Sequence, residues 1–425
     1  MRGGGWTSRP TPPMLRGMDE NIELLVAGGG LIGLLLGVAC AGAGLEVAVV
    51  DRQDPAATLS EGFDGRTSAI AYGSKLVLEG VGLWRDLAAD AEPILEIRVA
   101  DDESPLFLHY DHRELGGDLP RGAPLGYIVE NRNLRRALVA RAAALSNLRL
   151  VAPEEVVAVE RNALGATATL SDGRRLGARL AAAADGRESP LRRAAGIRTA
   201  KWRYAQTGIV TTVRHERPHA GIAVEHFLPA GPFAILPMTG NRCSIVWTED
   251  AALAPRLLAL PQEAFVAELA VRFGDFLGRV EPVGPRWAYP LWLMQAQSYV
   301  ATRLALVGEA AHVIHPIAGQ GLNIGIRDVA VLAELIVDAR RLGLDIGDDA
   351  LLQRYQQWRR SDAVVLAAVT DALNRLFSNR VAPLRLVRDI GLAAVHRLPP
   401  LKRVLMRHAM GVLGDRPRLA RGEAL

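Results

Sequence analysis

The sequence predicts a mixed α/β (α+β) fold, with a parallel-sheet domain in two parts, an antiparallel sheet inserted between them, and helices at the C-terminal end. Three observations support this prediction. An apolar run of strand length, residues 22–27, leads into a glycine-rich turn and a helix of small and apolar residues. Strand-like runs alternate with turns over residues 207–248. Helical patterns cover residues 321–342 and 349–376.

The glycine-rich turn has the spacing of a Rossmann-like dinucleotide-binding motif. Gly28 permits the tight turn, Gly30 lets the backbone approach a pyrophosphate, and Gly33 lets the helix pack closely on the strand. The free amide groups and the dipole of the helix then point at the phosphates. Asp51 ends the next apolar strand, 18 positions after Gly33, close to the offset at which a carboxylate meets a ribose hydroxyl. An acidic residue there favours FAD or NAD over NADP.

Two structural explanations compete with the binding motif. A glycine-rich turn between apolar segments can serve packing alone. Residues 24–45 contain no charged residue and are long enough to span a membrane. The glycine cluster inside this stretch and the β-branched strand after it favour a buried strand–helix–strand unit, so we predict no transmembrane segment.

The other elements are predicted in order along the chain. Residues 74–88 and 134–145 are expected to be helices, and three runs between residues 156 and 180 are expected to form a β-meander. The alanine run 181–184 has a poor strand propensity, but the turn that follows it favours a strand. Residues 304–307 are the last predicted strand of the parallel-sheet domain.

The composition is that of a soluble globular protein. Of 425 residues, 49% are hydrophobic and 23% are charged, which is enough for two or three cores. Cys40 and Cys243 lack the spacing of metal ligands, so we expect buried free thiols, a reducing compartment such as the cytoplasm, and no metal. A basic and aromatic pattern typical of nucleic-acid binders is missing from the sequence, so we predict no nucleic-acid partner.

Positive charge is concentrated near the C-terminal end. Residues 351–425 carry 14 Lys/Arg against five Asp/Glu, whereas the whole chain has a formal net charge of +4. Residues 391–414 alternate apolar and basic residues as a basic amphipathic helix does, with a break at Pro399-Pro400. Such a helix can rest on the anionic inner face of a membrane, or it can pack on the protein's own core and expose its basic face to water. Both alternatives stay open.

Two further segments extend the pattern that the glycine turn begins. They are Ala184-Asp185-Gly186-Arg187, and Gly308-Glu309-Ala310-Ala311-His312 followed by Pro316 and Gly319-Gln320-Gly321-Leu322-Asn323. With these three segments in this order, the chain resembles the FAD-dependent aromatic hydroxylases that have the para-hydroxybenzoate hydroxylase fold.

Several shorter motifs narrow the resemblance to the ubiquinone-biosynthesis ring hydroxylases. They are Phe63-Asp64-Gly65-Arg66, residues 125–131 ending in Glu130-Asn131, Gly231-Pro232-Phe233-Ala234-Ile235-Leu236-Pro237, Ser244-Ile245-Val246-Trp247, the His315-Pro316 pair, Thr370-Asp371 and Leu376-Phe377-Ser378. The resemblance covers residues 20–415.

The resemblance implies a domain organisation. We expect a disordered tail at 1–20, the first part of the FAD-binding domain at 21–200, an inserted antiparallel substrate domain at 201–300, the final part of the FAD-binding domain at 301–345, and a C-terminal helical region at 346–425. The first 17 residues lack the apolar core of a signal peptide, and Met14 or Met18 is an alternative start.

The resemblance also implies FAD contacts beyond the glycine turn. Asp185 and Gly186 are expected beside the pyrophosphate, while Arg66 is expected to reach a phosphate. Asn131 is assigned to the FAD site through its motif.

At the flavin end, backbone amide groups of Gly321, Leu322 and Asn323 are expected to stabilise the charge of the reduced flavin. Glu309 departs from the family, which usually has an aspartate that binds a ribitol hydroxyl. The longer side chain keeps the carboxylate, so we expect FAD binding to survive.

The implied reaction is a ring hydroxylation. NAD(P)H or a protein donor reduces the flavin, molecular oxygen forms a C4a-hydroperoxide, and its distal oxygen is transferred to the ring. Pro316, Gly319 and Gln320 are our candidates for the loop near C4a, and we assign no acid–base residue. The implied substrate is a polyprenylated phenol, with peripheral membrane contact and a quinone-synthesis complex as further expected partners.

Three rival functions remain open at this stage. The first is a flavin monooxygenase acting on a soluble phenol. The second is a flavin reductase or dehydrogenase that inserts no oxygen. The third is a non-catalytic flavoprotein subunit of a quinone-synthesis complex, in which Glu309 would be an early sign of decay.

Overall fold

The computed structural model describes residues 22–60, 65–101, 107–116, 119–378 and 397–425, and the structural statements below concern these ranges. Three features of the sequence analysis lie outside them: the tail 1–20, the Phe63-Asp64 pair, and residues 391–396 of the basic C-terminal stretch.

The described chain alternates helices and strands in its N-terminal part, is rich in strands in its middle, and ends in helices. The strands are β1 Ile22–Ala27, β2 Val47–Val50, β3 Thr67–Ala71, β4 Ala91–Ile94, β5 Glu96–Asp101, β6 Phe107–Asp111, β7 Gly126–Glu130, β8 Leu148–Val151, β9 Val156–Arg161, β10 Ala166–Leu170, β11 Arg175–Ala183, β12 Thr199–His215, β13 Ile222–Leu228, β14 Gly231–Met238, β15 Arg242–Asp250, β16 Val280–Ala296, β17 Val300–Ala301, β18 Leu304–Leu306 and β19 His312–Val313. The helices are α1 Leu31–Gly42, α2 Pro55–Ser60, α3 Tyr72–Gly80, α4 Trp84–Leu87, α5 Asn131–Ala143, α6 Pro190–Ala194, α7 Ala254–Leu258, α8 Gln262–Phe273, α9 Gly321–Arg341, α10 Asp349–Phe377 and α11 Pro399–Ala409.

The first sheet is the parallel sheet that the sequence predicts. Its strands lie in the order β17-β18-β11-β1-β2-β8, with β18, β11, β1, β2 and β8 parallel, and β9 and β10 extend it beside β11. Ala181, Ala182 and Ala183 continue β11 without a break, because β1 and β18 pair with them on either side and bury them completely, and Ala184 lies just after the strand. Tertiary pairing thus overrides the poor strand propensity of alanine.

The second sheet is antiparallel over most of its width, with the order β19-β16-β12-β15-β14-β13-β5-β6. The short helices α7 and α8 cover one face of it, in a core that contains Phe233, Trp247 and Phe265. Strands β5 and β6 join this sheet through a parallel pairing of β5 with β13, although they precede residue 201. The sheet therefore takes two strands from the stretch that the sequence analysis assigned to the FAD-binding domain.

Several elements differ from the predictions for identifiable reasons. Strand β16 is longer than its sequence pattern indicates, since Pro282, Pro285 and Pro290 interrupt the pattern, yet it pairs with β12 along most of its length. The predicted helix 74–88 is divided between α3 and α4 by a turn at Gly82, which has a φ of 81°. Pro399-Pro400 begins α11, in line with the preference for proline in a first turn, and Leu398 directly before it is not helical.

The chain has no membrane-spanning helix among the described residues, since none of these helices combines the necessary length and apolar character. The uncharged stretch 24–45 forms β1, the glycine turn and α1, all packed in the main core. Cys40 and Cys243 are buried free thiols as predicted, and burial raises the pKa of each to about 12.

Candidate FAD and substrate site

The three predicted segments meet at one edge of the parallel sheet. Gly28 follows β1, Asp51 follows β2, and Asp185 comes just after β11. Gly308 comes just after β18 at the same edge. The carboxyl ends of parallel strands are where ligands bind in such sheets, so one crevice receives all three segments.

The glycines of the turn differ in whether packing requires them. A Cβ on Gly33 would collide with the carbonyl oxygen of Gly28, and a Cβ on Gly28 would collide with that of Ala184. A Cβ on Gly30, by contrast, would meet no atom within 4 Å. Helix α1 begins directly after Gly30 and has no side-chain cap at this end. The space beside Gly30 and the helix amide groups form a cradle that suits a pyrophosphate.

Asp51 connects the glycine turn to the end of β2. Its Oδ2 accepts a hydrogen bond from the Gly29 amide at 2.5 Å, and its Oδ1 accepts one from the Gln53 amide at 2.7 Å. Each carboxylate oxygen can accept a second hydrogen bond, so a ribose hydroxyl remains compatible with this arrangement.

Asp185 has an unsatisfied oxygen in the crevice. Its Oδ2 accepts a hydrogen bond from the Leu191 amide at 3.2 Å, whereas Oδ1 is buried and has no partner among the described residues. Burial raises the pKa of this carboxyl. Gly186 follows with a φ of 85° and open space where a side chain would lie. A hydroxyl donor from a bound cofactor would satisfy Oδ1, and FAD carries such hydroxyls.

The segment after β18 is stabilised by a buried network of hydrogen bonds and ion pairs centred on Asp328. Asp328 is fully buried, and its Oδ2 accepts hydrogen bonds from the Gly308 amide at 3.0 Å and from His312 Nε2 at 2.6 Å. Its Oδ1 accepts one from Arg359 Nε at 2.8 Å. Burial acts to raise the pKa of Asp328, but the charges of His312 and Arg359 hold it below its usual value. His312 is therefore a structural partner of Asp328, and Glu309 is left exposed.

The loop at residues 316–320 leads into the N-terminal end of α9. Gly319 adopts a φ of 61°, and Gln320 donates a hydrogen bond to the carbonyl of Ala409 at 3.3 Å. A Cβ on Gly321 would meet no atom within 4 Å, and no side chain caps α9. Leu322 is partly buried against the main core. The uncapped amide groups at this helix end suit an anionic flavin ring.

Asn323 is fully engaged within the protein. Its Oδ1 accepts a hydrogen bond from the Ala71 amide, and its Nδ2 donates to the carbonyls of Ala69 and Gly319. The side chain therefore joins α9 to β3, and only its backbone is left for a cofactor.

Arg66 and Asn131 are neighbours at one end of the small sheet β3-β7-β4. The Asn131 amide donates to the Arg66 carbonyl at 3.0 Å, and Ser68 donates to Asn131 Oδ1 at 2.7 Å. The side chain of Arg66 is exposed. It is thus placed on the surface and not inside the sheet.

The structure adds a group of residues to which the sequence analysis gave no role. His315 is completely buried beside Tyr204, with ring centroids 5.0 Å apart, and its Nε2 has no partner in the described chain. Burial lowers the pKa of His315 to about 4. Tyr204 donates a hydrogen bond to Asp371 at 2.7 Å, and Arg375 pairs with the same carboxylate. His315 and Asp371 stand in motifs of the resemblance, but contact between them across β12 depends on tertiary structure.

The residues of the crevice fit FAD. An open cradle lies at Gly30, a buried acceptor at Asp185 lacks a donor, and two uncapped helix ends, those of α1 and α9, are available for the pyrophosphate and the flavin. The fold and this crevice define an FAD-dependent enzyme.

Comparison with known proteins gives the family. Residues 21–371 match the model of the FAD binding domain family. The chain is 54% identical to the ubiquinone hydroxylase UbiL of Rhodospirillum rubrum over 418 residues, which are 98% of this chain and 96% of that protein. It is 35% identical to the 3-demethoxyubiquinol 3-hydroxylase of Escherichia coli, over 93% of this chain and all of that protein. The chain belongs to the FAD-dependent aromatic-ring monooxygenases, in the family of ubiquinone-biosynthesis hydroxylases.

A solved structure supports the fold independently. The p-nitrophenol 4-monooxygenase PnpA of Pseudomonas putida superposes with a TM-score of 0.78 at 19% identity, covering 94% of this chain and all of that chain. The predicted fold class and the resemblance to aromatic hydroxylases are thus confirmed. The roles assigned to individual residues stay predictions.

Proposed function

We propose that this enzyme hydroxylates the aromatic ring of a polyprenylated phenol in ubiquinone biosynthesis. The observation that carries the proposal is the 54% identity, over nearly the whole length of both chains, to a protein named as a ubiquinone hydroxylase. The structure supports it, because Ile317 of the 316–320 loop belongs to an apolar cluster with Leu108 and Phe227 of the antiparallel sheet.

Bound FAD would supply the activation of molecular oxygen and the transfer of one oxygen atom to the ring. The protein's own task is to orient both partners. Gly28, Gly30 and Gly33 would hold the pyrophosphate, with Asp51 at the ribose. Hydroxyl groups of FAD would bind to the carboxylates of Asp185 and Glu309, with Gly186 beside the pyrophosphate. Arg66 would reach a phosphate, and Asn131 would belong to the same site. The amide groups of Gly321, Leu322 and Asn323 would lie at the flavin, and Pro316, Gly319 and Gln320 would form the wall that excludes water.

The electron donor is proposed to be NAD(P)H or a protein. The test is anaerobic reduction of the FAD-loaded enzyme by NADH or NADPH, with and without a geranylated phenol, followed by admission of isotopically labelled oxygen. Flavin bleaching that the phenol accelerates, with one labelled oxygen atom in the product, is expected. Equal turnover of a phenol without a prenyl chain would favour a soluble substrate, and product without label would contradict a monooxygenase. Bound flavin that neither nucleotide reduces would point to a protein donor.

We also propose that α11 rests on the inner face of the membrane, in the cytoplasm. Met406 and Met410 face the core, whereas Leu401, Val404 and Leu405 are exposed. Arg403 is exposed on the same helix, as binding to anionic lipid requires. Replacing Leu401 and Leu405 with serine should abolish sedimentation with anionic vesicles while FAD content is unchanged. If the double serine variant sedimented with vesicles as the wild type does, the exposed face of α11 would not bind the membrane. A protein of a quinone-synthesis complex would then be the remaining candidate partner for this face.

A further inference from the structure

A glutamate lies on the face of the antiparallel sheet that is turned toward the FAD-binding half. Glu225 is in the middle of β13 and pairs with Ala234 of β14 and Val99 of β5. Its neighbours Val224 and Leu228 pack on the core beneath α7 and α8. Successive side chains of a strand point to opposite faces, so Glu225 points away from those helices.

Along β13, the residues on either side of Glu225 on this face are apolar. Two residues before it, Ala223 belongs to a cluster with Leu236, Ile97 and Met410. Two residues after it, Phe227 belongs to a second cluster with Leu108, Ile317 and Phe377. The carboxyl of Glu225 thus projects from between two apolar clusters.

The second cluster connects Glu225 to the candidate flavin loop. Ile317 lies within the 316–320 loop and is 4% exposed where it packs against Phe227 and Leu108. Phe377 stacks on Phe227 with ring centroids 4.2 Å apart and closes the cluster from α10. Glu225 therefore lies two residues before Phe227, on the same face of β13, and Phe227 packs in the cluster that contains Ile317 of this loop.

The carboxyl of Glu225 has no partner in the described chain. None of the described residues forms a hydrogen bond or an ion pair with it, although it lies deep within the protein. The side chain is only partly covered by the described residues, which leaves part of its surface open to a ligand. Burial alone raises the pKa of this carboxyl to about 7. A buried carboxyl is costly without a hydrogen-bonding partner, which a ligand can supply.

We propose that Glu225 binds the ring hydroxyl of the phenol substrate and accepts its proton when the ring is attacked. The phenol O–H bond breaks, a carboxyl O–H bond forms on Glu225, and the electron pair left on the phenol oxygen makes the ring carbons more nucleophilic. The apolar clusters on either side would contact the ring and the start of its prenyl chain. This inference rests on the proposed function and names the residue that recognises the phenol.

Other ionisable groups turn toward the same side of the sheet. Asp101 of β5 and Tyr110 of β6 share the face of Glu225 by register. On the elements packed against that face, Asp371 pairs with Arg375 at 2.8 Å, Lys402 pairs with Glu114 at 2.7 Å, and His315 lies beside the loop. On β14 the residues of this face are Pro232, Ala234, Leu236 and Met238, none of which titrates.

The test compares Glu225→Gln and Glu225→Asp with the wild type, all loaded with FAD. A geranylated phenol is titrated between pH 5.5 and 8.5, and binding is followed by the change in the flavin absorption spectrum. The wild-type affinity should rise as the pH passes through about 7, because the ionised carboxylate is the better acceptor. In E225Q this rise should disappear, and kcat/KM for hydroxylation should fall about 100-fold, the usual size of such a proton-transfer contribution.

The control is Glu281→Gln, the same substitution at an exposed glutamate of β16, which should behave as the wild type. E225Q with the affinity, kcat/KM and pH profile of the wild type would overturn the inference. If E225Q fails to retain FAD, the test uses E225D, which keeps the carboxyl and should shift the pH at which the substrate affinity rises. An unchanged pH midpoint together with an unchanged affinity in E225D would also overturn the inference. A wild-type enzyme that hydroxylates no prenylated phenol would instead contradict the proposed function.

Discussion

Two buried carboxyls, one in each half of the molecule, have opposite surroundings. Asp328, under the cofactor edge of the parallel sheet, accepts hydrogen bonds from Gly308, His312 and Arg359, and its pKa is held down by the last two despite its burial. Glu225, on the antiparallel sheet, has no such partner, and burial raises its pKa to about 7. The hydrogen bonds of Asp328 are complete without a ligand, whereas Glu225 keeps a carboxyl whose partner the substrate would provide.

The largest expected effect tests this contrast through stability. Asp328→Asn should lower the free energy of unfolding by about 3–5 kcal/mol, because it breaks the buried ion pair with Arg359, which then keeps Asp362 as its partner, and removes the acceptor of the His312 hydrogen bond. Glu225→Gln should change it by less than about 1 kcal/mol, because no partner is lost. Urea unfolding of the FAD-loaded proteins, followed by circular dichroism, measures both. Equal losses would mean that Glu225 is as structural as Asp328.

A smaller effect separates packing from cofactor binding within the glycine turn. Gly33→Ala should lower the stability of the FAD-free protein by about 1–3 kcal/mol, because the added Cβ collides with the Gly28 carbonyl. Gly30→Ala should leave that stability nearly unchanged, since the site is open and its φ of −67° suits alanine. Its FAD affinity should nevertheless fall, because the methyl group occupies the pyrophosphate cradle. Thermal melting and flavin-fluorescence titration report the two quantities. Wild-type FAD affinity in Gly30→Ala would place the pyrophosphate elsewhere.

The same contrast explains what could be predicted from the sequence. Gly28, Asp185 and Gly308 lie directly after strands of the parallel sheet, so local motifs reveal them and the order of the strands brings them together. The fold class and the family followed from these motifs. The cofactor edge was thus predictable because its features are local.

The side-chain arrangement around Glu225 was not predictable in this way. The orientation of Glu225 depends on the register of β13 with β14 and β5, and β5 comes from a distant part of the chain. The contact of His315 with Tyr204 likewise needs tertiary structure. No short sequence motif marks Glu225, a polar residue in a half-apolar strand. The same is true of the proline-rich strand β16. Their roles follow from pairing partners that no short motif specifies.

The smallest expected effect concerns Glu309, the residue of the cofactor edge that departs from the family pattern. Its side chain is exposed, so Glu309→Asp and Glu309→Ala should both leave stability unchanged. Asp keeps the carboxylate and should alter the FAD dissociation constant by less than about tenfold, near 1.4 kcal/mol. Ala removes a charged acceptor and should cost about 1.5–3 kcal/mol of FAD binding. Flavin-fluorescence titration measures both, with Glu263→Ala, an exposed glutamate of α8, as the control. If Glu309→Ala bound FAD as tightly as the wild type, residue 309 would not be a ligand of FAD. The glutamate in place of the family's aspartate would then have no effect on FAD binding.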